Sequence, residues 1–489
     1  MRDASVGVQT STCAGVHASA CAAWSDPTTA DKLKLELQPK LKLELQPTLM
    51  ALTSLRFLAA SLVLLFHALD SFPQASVLQL PRPMLNVLES GFVGVSVFFI
   101  LSGFILGYNY LAMDFAPPRA RRQFWAARFA RIYPVYLLGM VLAAPKFFAA
   151  LSQPELTGKA KEAALAGAAA LTLTQAWWPD LALAWNPPGW SLSAEAFFYL
   201  LFPFVAVRLA RLSARGALIG LGVCWLAALL PPLVYGWLAP SAPAWSAVVK
   251  FNPLLRLPEF LMGVCLAVVF LKAIKQKEAL ESERTSPLPM NRSAGLRPGA
   301  GQNHPLAGSE TGAPPAGSGA PSIRILERPP LIHPALLFAA LVVAAGLLCR
   351  DSLPKHLLHN GLLDPAFAII IFGLAWCGRR DDAWTRQLSR PAFVLLGEAS
   401  YALYILHVPL KGWLVAVVTR WFPGALREPG LLSLVLFVYL ALAVVAAILS
   451  FRFVETPARR WLKTRLTRRE EVAAPLSLPN LPLAQGAKP

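Results

Sequence analysis

The chain is 489 residues long, 56% hydrophobic and only 15% charged, against roughly 25% charged residues in ordinary soluble domains. A sequence this apolar is not that of a water-soluble domain, and a bilayer is its simplest solvent. The formal net charge of +18 fits arginine-rich loops facing an anionic cytoplasmic leaflet, so no nucleic-acid partner is expected.

Residues 1–49 differ from the rest. They repeat one octapeptide, Lys32–Pro39 and again Lys40–Pro47, and lack the apolar core of a signal peptide. They read as a disordered extension, or as a mis-called start ahead of Met50. Beyond them, a span needs roughly 20 mainly apolar residues. Ten are predicted, near 51–70, 91–110, 132–150, 194–210, 216–236, 255–272, 333–349, 361–378, 394–416 and 431–452. The apolar segment Ala163–Thr174 is too short to cross and is expected to be re-entrant or interfacial. Residues 278–330 are rich in Pro, Gly, Ser and Ala, which cannot bury a core. A disordered cytoplasmic linker over 273–332 therefore separates 50–272, with spans one to six, from 333–468, with spans seven to ten. Residues 469–489 read as a disordered tail. The predicted fold is an all-α polytopic transmembrane helix bundle.

With the N-terminus inside, 33 of the 45 lysines and arginines fall on the inner side, which places both termini in the cytoplasm. Had Ala163–Thr174 crossed, Arg208, Arg211 and Arg215 would face outward. The six cysteines show neither metal-type spacing nor a disulfide framework, and no metal site is expected. His356 and His359 read as exposed loop side chains.

Several spans reach full length only by running past an ionisable group: Arg56, Glu195, Glu259 and Glu398. Charges there are costly and mark functional positions by default. Arg56 and His67 lie eleven residues apart, close to three helical turns, so both project from one side of span one about 16 Å apart along its axis. Alone, Arg56 could snorkel and His67 could be an ordinary hydrogen-bonded core residue. Arg128 and Arg131 are i, i+3 neighbours entering span three, a pair suited to a phosphate-bearing ligand, with positive-inside anchoring as the plainer alternative. In Trp185–Tyr199, Glu195 could orient an imidazole, and Ser191 and Ser193 could donate hydrogen bonds. The plainer alternatives are an interfacial aromatic belt and a helix cap at Ser193. No P-loop, nucleophile elbow, zinc-protease or dinucleotide motif is present.

Six ordered segments resemble the membrane-bound acyltransferase type 3 family, bacterial O-acyltransferases acting on cell-surface sugars and related molecules. They are Leu55–His67, Gly91–Phe104, Arg128–Pro134, Trp190–Tyr199, Leu396–His407 and Phe453–Pro457. Each alone is weakly specific; their order from Leu52 to Trp461 is the signal. Thr53-Ser54 stands where many members have Asp-Gly. The resemblance is to the stand-alone form, without a C-terminal SGNH-hydrolase-like domain. It implies an enzyme of the bacterial plasma membrane, with no permanently bound cofactor, that takes an acyl group, expected to be acetyl, from acyl-CoA. Arg56, Arg128 and Arg131 would hold the donor. His67 would act as general base, oriented by Asp70 or Glu195, and Trp190, Ser191 and Ser193 would face a carbohydrate or glycoconjugate acceptor. A transporter or flippase for a lipid-linked sugar or organic acid is the alternative, since it also explains intramembrane charges.

Overall fold

The computed structural model describes residues 49–69, 80–151, 160–238, 241–285, 329–380, 382–462 and 465. The regions expected to be an N-terminal extension, most of the linker and the C-terminal tail lie outside the described residues. Within those residues the chain is helical throughout, with no strand. The helices are α1 (Leu49–Leu69), α2 (Arg82–Glu89), α3 (Gly94–Tyr110), α4 (Pro118–Leu151), α5 (Ala160–Leu171), α6 (Gly189–Leu209), α7 (Ala214–Leu238), α8 (Pro243–Phe251), α9 (Pro253–Thr285), α10 (Pro329–Leu348), α11 (Lys355–His359), α12 (Asp364–Gly378), α13 (Ala383–Leu388), α14 (Pro391–Trp421) and α15 (Pro429–Ser450). Proline occupies the first turn of α2, α8, α12, α14 and α15, where its missing N–H costs nothing.

Among the described residues, nine helical stretches are long and apolar enough to cross a membrane, and they coincide with nine of the ten expected spans. The tenth is the Ile332–Leu348 part of α10, a shorter apolar helix. Helix α5 has 12 residues, too few to cross. One boundary moves: α9 continues to Thr285, so the first part of the expected linker is helical. The surface is that of a bilayer protein. On α7, Ile219, Val223, Leu226 and Leu230 recur every three or four residues and are each 58–61% exposed, an apolar stripe that only lipid or protein could cover.

Two close packings set the architecture. Helices α3 and α9 meet through small residues: a Cβ on Gly103 would lie 2.0 Å from the Phe260 carbonyl oxygen, and one on Gly263 would lie 2.0 Å from that of Ile100. Interlocked phenylalanines, including Phe104, Phe198, Phe202, Phe260 and Phe270, fill the space around this contact. Helices α1 and α14 run parallel in fixed register. Gly397 abuts the Thr53 carbonyl, and Lys411 Nζ donates to the His67 carbonyl at 2.7 Å, the same offset of 344 positions. Parallel helices must be separated by an odd number of intervening crossings. With the nine longer stretches crossing, this holds only if α10 crosses too, which restores the count of ten.

Outside the spans, ion pairs tie loops together. Arg82 Nη2 lies 2.6 Å from Asp351 Oδ1, and Arg350 bonds Glu89. The Arg82 guanidinium holds the Asp351 carboxyl down to about 2.

Candidate active site

A partly open cavity lies between α1, α3, α4, α6 and α14. Its charged lining is Arg56, Arg131, Glu195 and Glu398, two guanidinium groups against two carboxylates. Arg56 and Arg131 act on each other, and both feel Glu195, Glu398 and Tyr199. The balance explains how four ionisable groups persist within an apolar bundle: each charge has an opposite partner nearby. Glu195 is further held by the Ser102 hydroxyl at 2.8 Å and by the Tyr199 phenol, both donating to Oε1. Ser191, Tyr401 and Tyr404 supply hydroxyl groups to the wall, and Val95, Phe98 and Leu192 supply the apolar part. Ser191 Oγ lies 2.8 Å from Tyr404 Oη, and the Tyr401 phenol donates to the Ile132 carbonyl.

The segment leading into α6 is braced rather than loose. Gln175 Nε2 donates to the Gly189 carbonyl at 2.9 Å, and Asn186 Nδ2 to that of Ile405 at 3.1 Å. Leu173 and Trp185 have φ of 57° and 58°, a left-handed conformation costly for bulky side chains and sustained here by surrounding contacts. Trp185 stacks on Phe147 at 4.3 Å and donates Nε1–H to the Met140 carbonyl.

The structure divides the sequence-predicted residues. Arg56, Arg131, Ser191 and Glu195 line the cavity. Arg128 does not: its Nη2 donates to Tyr110 Oη at 3.0 Å and its guanidinium lies over the Tyr110 and Phe124 rings. Arg128 and Arg131 both act on Tyr199, Arg131 from within the cavity lining and Arg128 from beside it. Ser193 is buried outside the cavity lining and accepts the Ala176 N–H at 3.2 Å, within α6 rather than at its cap. Trp190 packs between Phe99, Phe251 and the Arg256 guanidinium. His67 also lies outside the lining; its ring meets Phe66 and His407. Asp70 lies outside the described residues.

Residues without an assigned role also converge, among them Glu398 and Glu259, two of the ionisable groups that interrupt the spans. On α14, Glu398 acts on Arg56 of α1, Tyr401 and Tyr404 meet Ile132 of α4 and Ser191 of α6, and His407 and Lys411 meet His67 of α1. A second buried cluster centres on Arg256, which is 0% exposed and lies 2.8 Å from Glu259, with Ser96 bridging both. Asp364 is within electrostatic reach. His359, expected to be exposed, is half-buried, stacked on Phe92, with its Nδ1 2.9 Å from Asn360 Oδ1. His356 is half-buried as well, against Tyr235.

The sequence pattern of an acyltransferase domain matches residues 51–452, which takes in every span just described. The chain is 26% identical over 430 residues to the acyltransferase MdmB of Streptomyces mycarofaciens, covering 85% of this chain and 93% of that protein. It is 22% identical to the O-acetyltransferase OatA of Staphylococcus aureus and 25% identical to the peptidoglycan O-acetyltransferase OatA of Listeria monocytogenes, over 76% of this chain in each case. The chain spans about half the length of those two relatives, 53% and 52%. No solved structure matches. Fold and sequence agree: the chain belongs to the acyltransferase 3 family and is a multi-pass membrane acyltransferase.

Proposed function

We propose that the protein carries an acyl group, expected to be acetyl, from cytoplasmic acyl-CoA to a hydroxyl of a carbohydrate or related acceptor on the outer side of the bacterial plasma membrane. The observation that carries this reading is the charge-balanced cavity, whose wall includes Arg56 of α1 and the Glu398–Tyr404 stretch of α14, one turn short of His407, whose ring meets that of His67. Its lining has no net charge, so it suits the neutral thioester arm of the donor better than its phosphates. The phosphates belong with the basic start of α4, where Arg119, Arg121, Arg122 and Arg128 are clustered. Two named relatives are O-acetyltransferases, one of them acting on peptidoglycan, which supports a hydroxyl acceptor and an acetyl group.

In the transfer step, His67 takes the proton of the acceptor hydroxyl as its oxygen forms the new C–O bond to the thioester carbon. The C–S bond breaks, and the departing thiolate receives the proton. Removing such a base costs about a hundredfold or more. Purified protein should therefore consume acetyl-CoA thioester when acceptor is present, and His67→Ala should lose that activity while inserting and folding normally. Undiminished transfer by His67→Ala would sink the mechanism. Intact thioester alongside transport of acceptor would favour the flippase alternative.

A further inference from the structure

Among the described residues, six hydroxyl groups line the cavity, those of Ser102, Ser191, Tyr199, Ser400, Tyr401 and Tyr404, and each has one proton to donate. Five of those protons have an acceptor in the protein. Ser102 and Tyr199 donate to Glu195, Ser400 to the Gly397 carbonyl at 2.6 Å, and Tyr401 to the Ile132 carbonyl. Ser191 donates to Tyr404 Oη at 2.8 Å, with the Pro188 carbonyl a longer alternative at 3.1 Å. Tyr404 accepts in that contact, and its own O–H has no acceptor among the described residues.

The Tyr404 side chain is buried and packs edge-on against Phe98, another wall residue, with ring centroids 5.6 Å apart. A buried O–H without an acceptor is unfavourable and calls for one. Because Ser191 already donates to its oxygen, Tyr404 meets the cavity as a donor, and its partner there is an atom that accepts. The Ser191 contact also polarises the phenol and strengthens the bond that it gives. Along α14, Tyr404 is the last wall residue before His407, whose ring lies 6.1 Å away and meets that of His67. The charge of Arg56, three turns before His67 on α1, is instead shared with Glu195 and Glu398.

In acyl transfer from a thioester, the atom that gains negative charge is the carbonyl oxygen, as the C–O bond forms and before the C–S bond breaks. We propose that the Tyr404 O–H donates a hydrogen bond to that oxygen. Tyr404 is then a catalytic residue that stabilises the oxyanion, and Ser191 is the positioning residue that orients and polarises it. The phenol keeps its proton throughout, and the oxyanion becomes the ester carbonyl as the thiolate leaves. The inference rests on the reading of the cavity as the seat of the donor's thioester arm. It does not depend on which group takes the acceptor's proton.

Two unreactive CoA analogues test this role: the ketone in which a methylene replaces the sulfur of acetyl-CoA, and S-ethyl-CoA, which has no carbonyl. Tyr404→Phe, purified as the full chain, should bind the ketone about fivefold more weakly, the size of one lost hydrogen bond. Its binding of S-ethyl-CoA should be unchanged. In membrane vesicles of a deletion strain complemented with the full chain and given radiolabelled acetyl-CoA at saturation, Tyr404→Phe should form ester-linked label about a hundredfold more slowly. Ser191→Ala should show the same selective loss for the ketone with a smaller loss of rate. An undiminished rate in Tyr404→Phe would overturn the inference, and so would two analogues weakened equally or not at all. If Tyr404→Phe fails to fold, Ser191→Ala decides alone, and ketone binding equal to wild type would overturn the inference. A wild type that binds neither analogue, or forms no labelled ester, would instead remove the proposed function itself.

Discussion

Glu195 is held by the Ser102 hydroxyl and the Tyr199 phenol, while its charge acts on Arg56 and Arg131. Those two roles can be separated. Tyr199→Phe removes one hydrogen bond to a charged acceptor and should cost about 1.5–3 kcal/mol of stability at most, with transfer partly retained. Glu195→Gln keeps an accepting oxygen for both donors but leaves the two guanidinium groups with Glu398 as the one carboxylate in the cavity lining, so it should lose more transfer than Tyr199→Phe. Melting curves in detergent and thioester consumption measure both effects; a glutamine variant as active as wild type would show that the charge is dispensable. At this scale Arg56, Arg131 and Glu195 were legible in the sequence, because ionisable groups interrupting apolar runs stand out. Tyr401, Tyr404 and Ser102 were not, since a hydroxyl in a hydrophobic helix looks like filler until its neighbours are known. The division between Arg128 and Arg131 was hidden for a related reason: i, i+3 spacing fixes a shared face, not what each side chain meets.

At the scale of elements, the bundle depends on glycines whose missing Cβ allows backbones to touch. A methyl group on Gly103 or Gly263 would meet carbonyl oxygen of the facing helix at 2.0 Å, and no flexible side chain can give way. Gly103→Ala should force α3 from α9 and cost about 3 kcal/mol or more, at the upper end of overpacking effects. Gly222 on α7 has nothing within 4 Å of its would-be Cβ, and Gly222→Ala should be neutral or stabilising by up to about 1 kcal/mol through helix propensity. Melting temperatures of the two variants check the contrast; equal effects would mean that the α3–α9 contact is not as tight as described. Hydropathy located every span, because length and apolarity are local properties. The register of α1 against α14 is not local. It follows from the contact of Gly397 with Thr53 and of Lys411 with His67, pairs 344 positions apart, and it brings His407 to His67.

For the whole molecule, loops assigned to one side by charge counting are the loops that meet in space. Arg82 pairs with Asp351, and Phe251 touches His359, all on the side assigned as outer. Arg379 pairs with Glu278 at 3.1 Å, and Ser54 bonds the Leu388 carbonyl, all at the side assigned as inner. Sidedness and span count therefore stand or fall together, and labelling can test them. In a cysteine-free background, single cysteines at Arg121, Arg211 and Arg386 should be protected from a membrane-impermeant maleimide in intact spheroplasts and react after lysis. Single cysteines at Lys161, Asp180, Trp237 and Arg427 should react without lysis. Lys161 and Asp180 flank the α5 region, so matching reactivity means that α5 dips or lies flat. Opposite reactivity would make α5 a crossing and reverse every later loop. Arg386 tests α10 in the same way: it returns to the inner side only if the short helix crosses. Labelling of Arg386→Cys from outside would remove that crossing, and with it the parallel packing of α1 and α14 that carries His67 to His407.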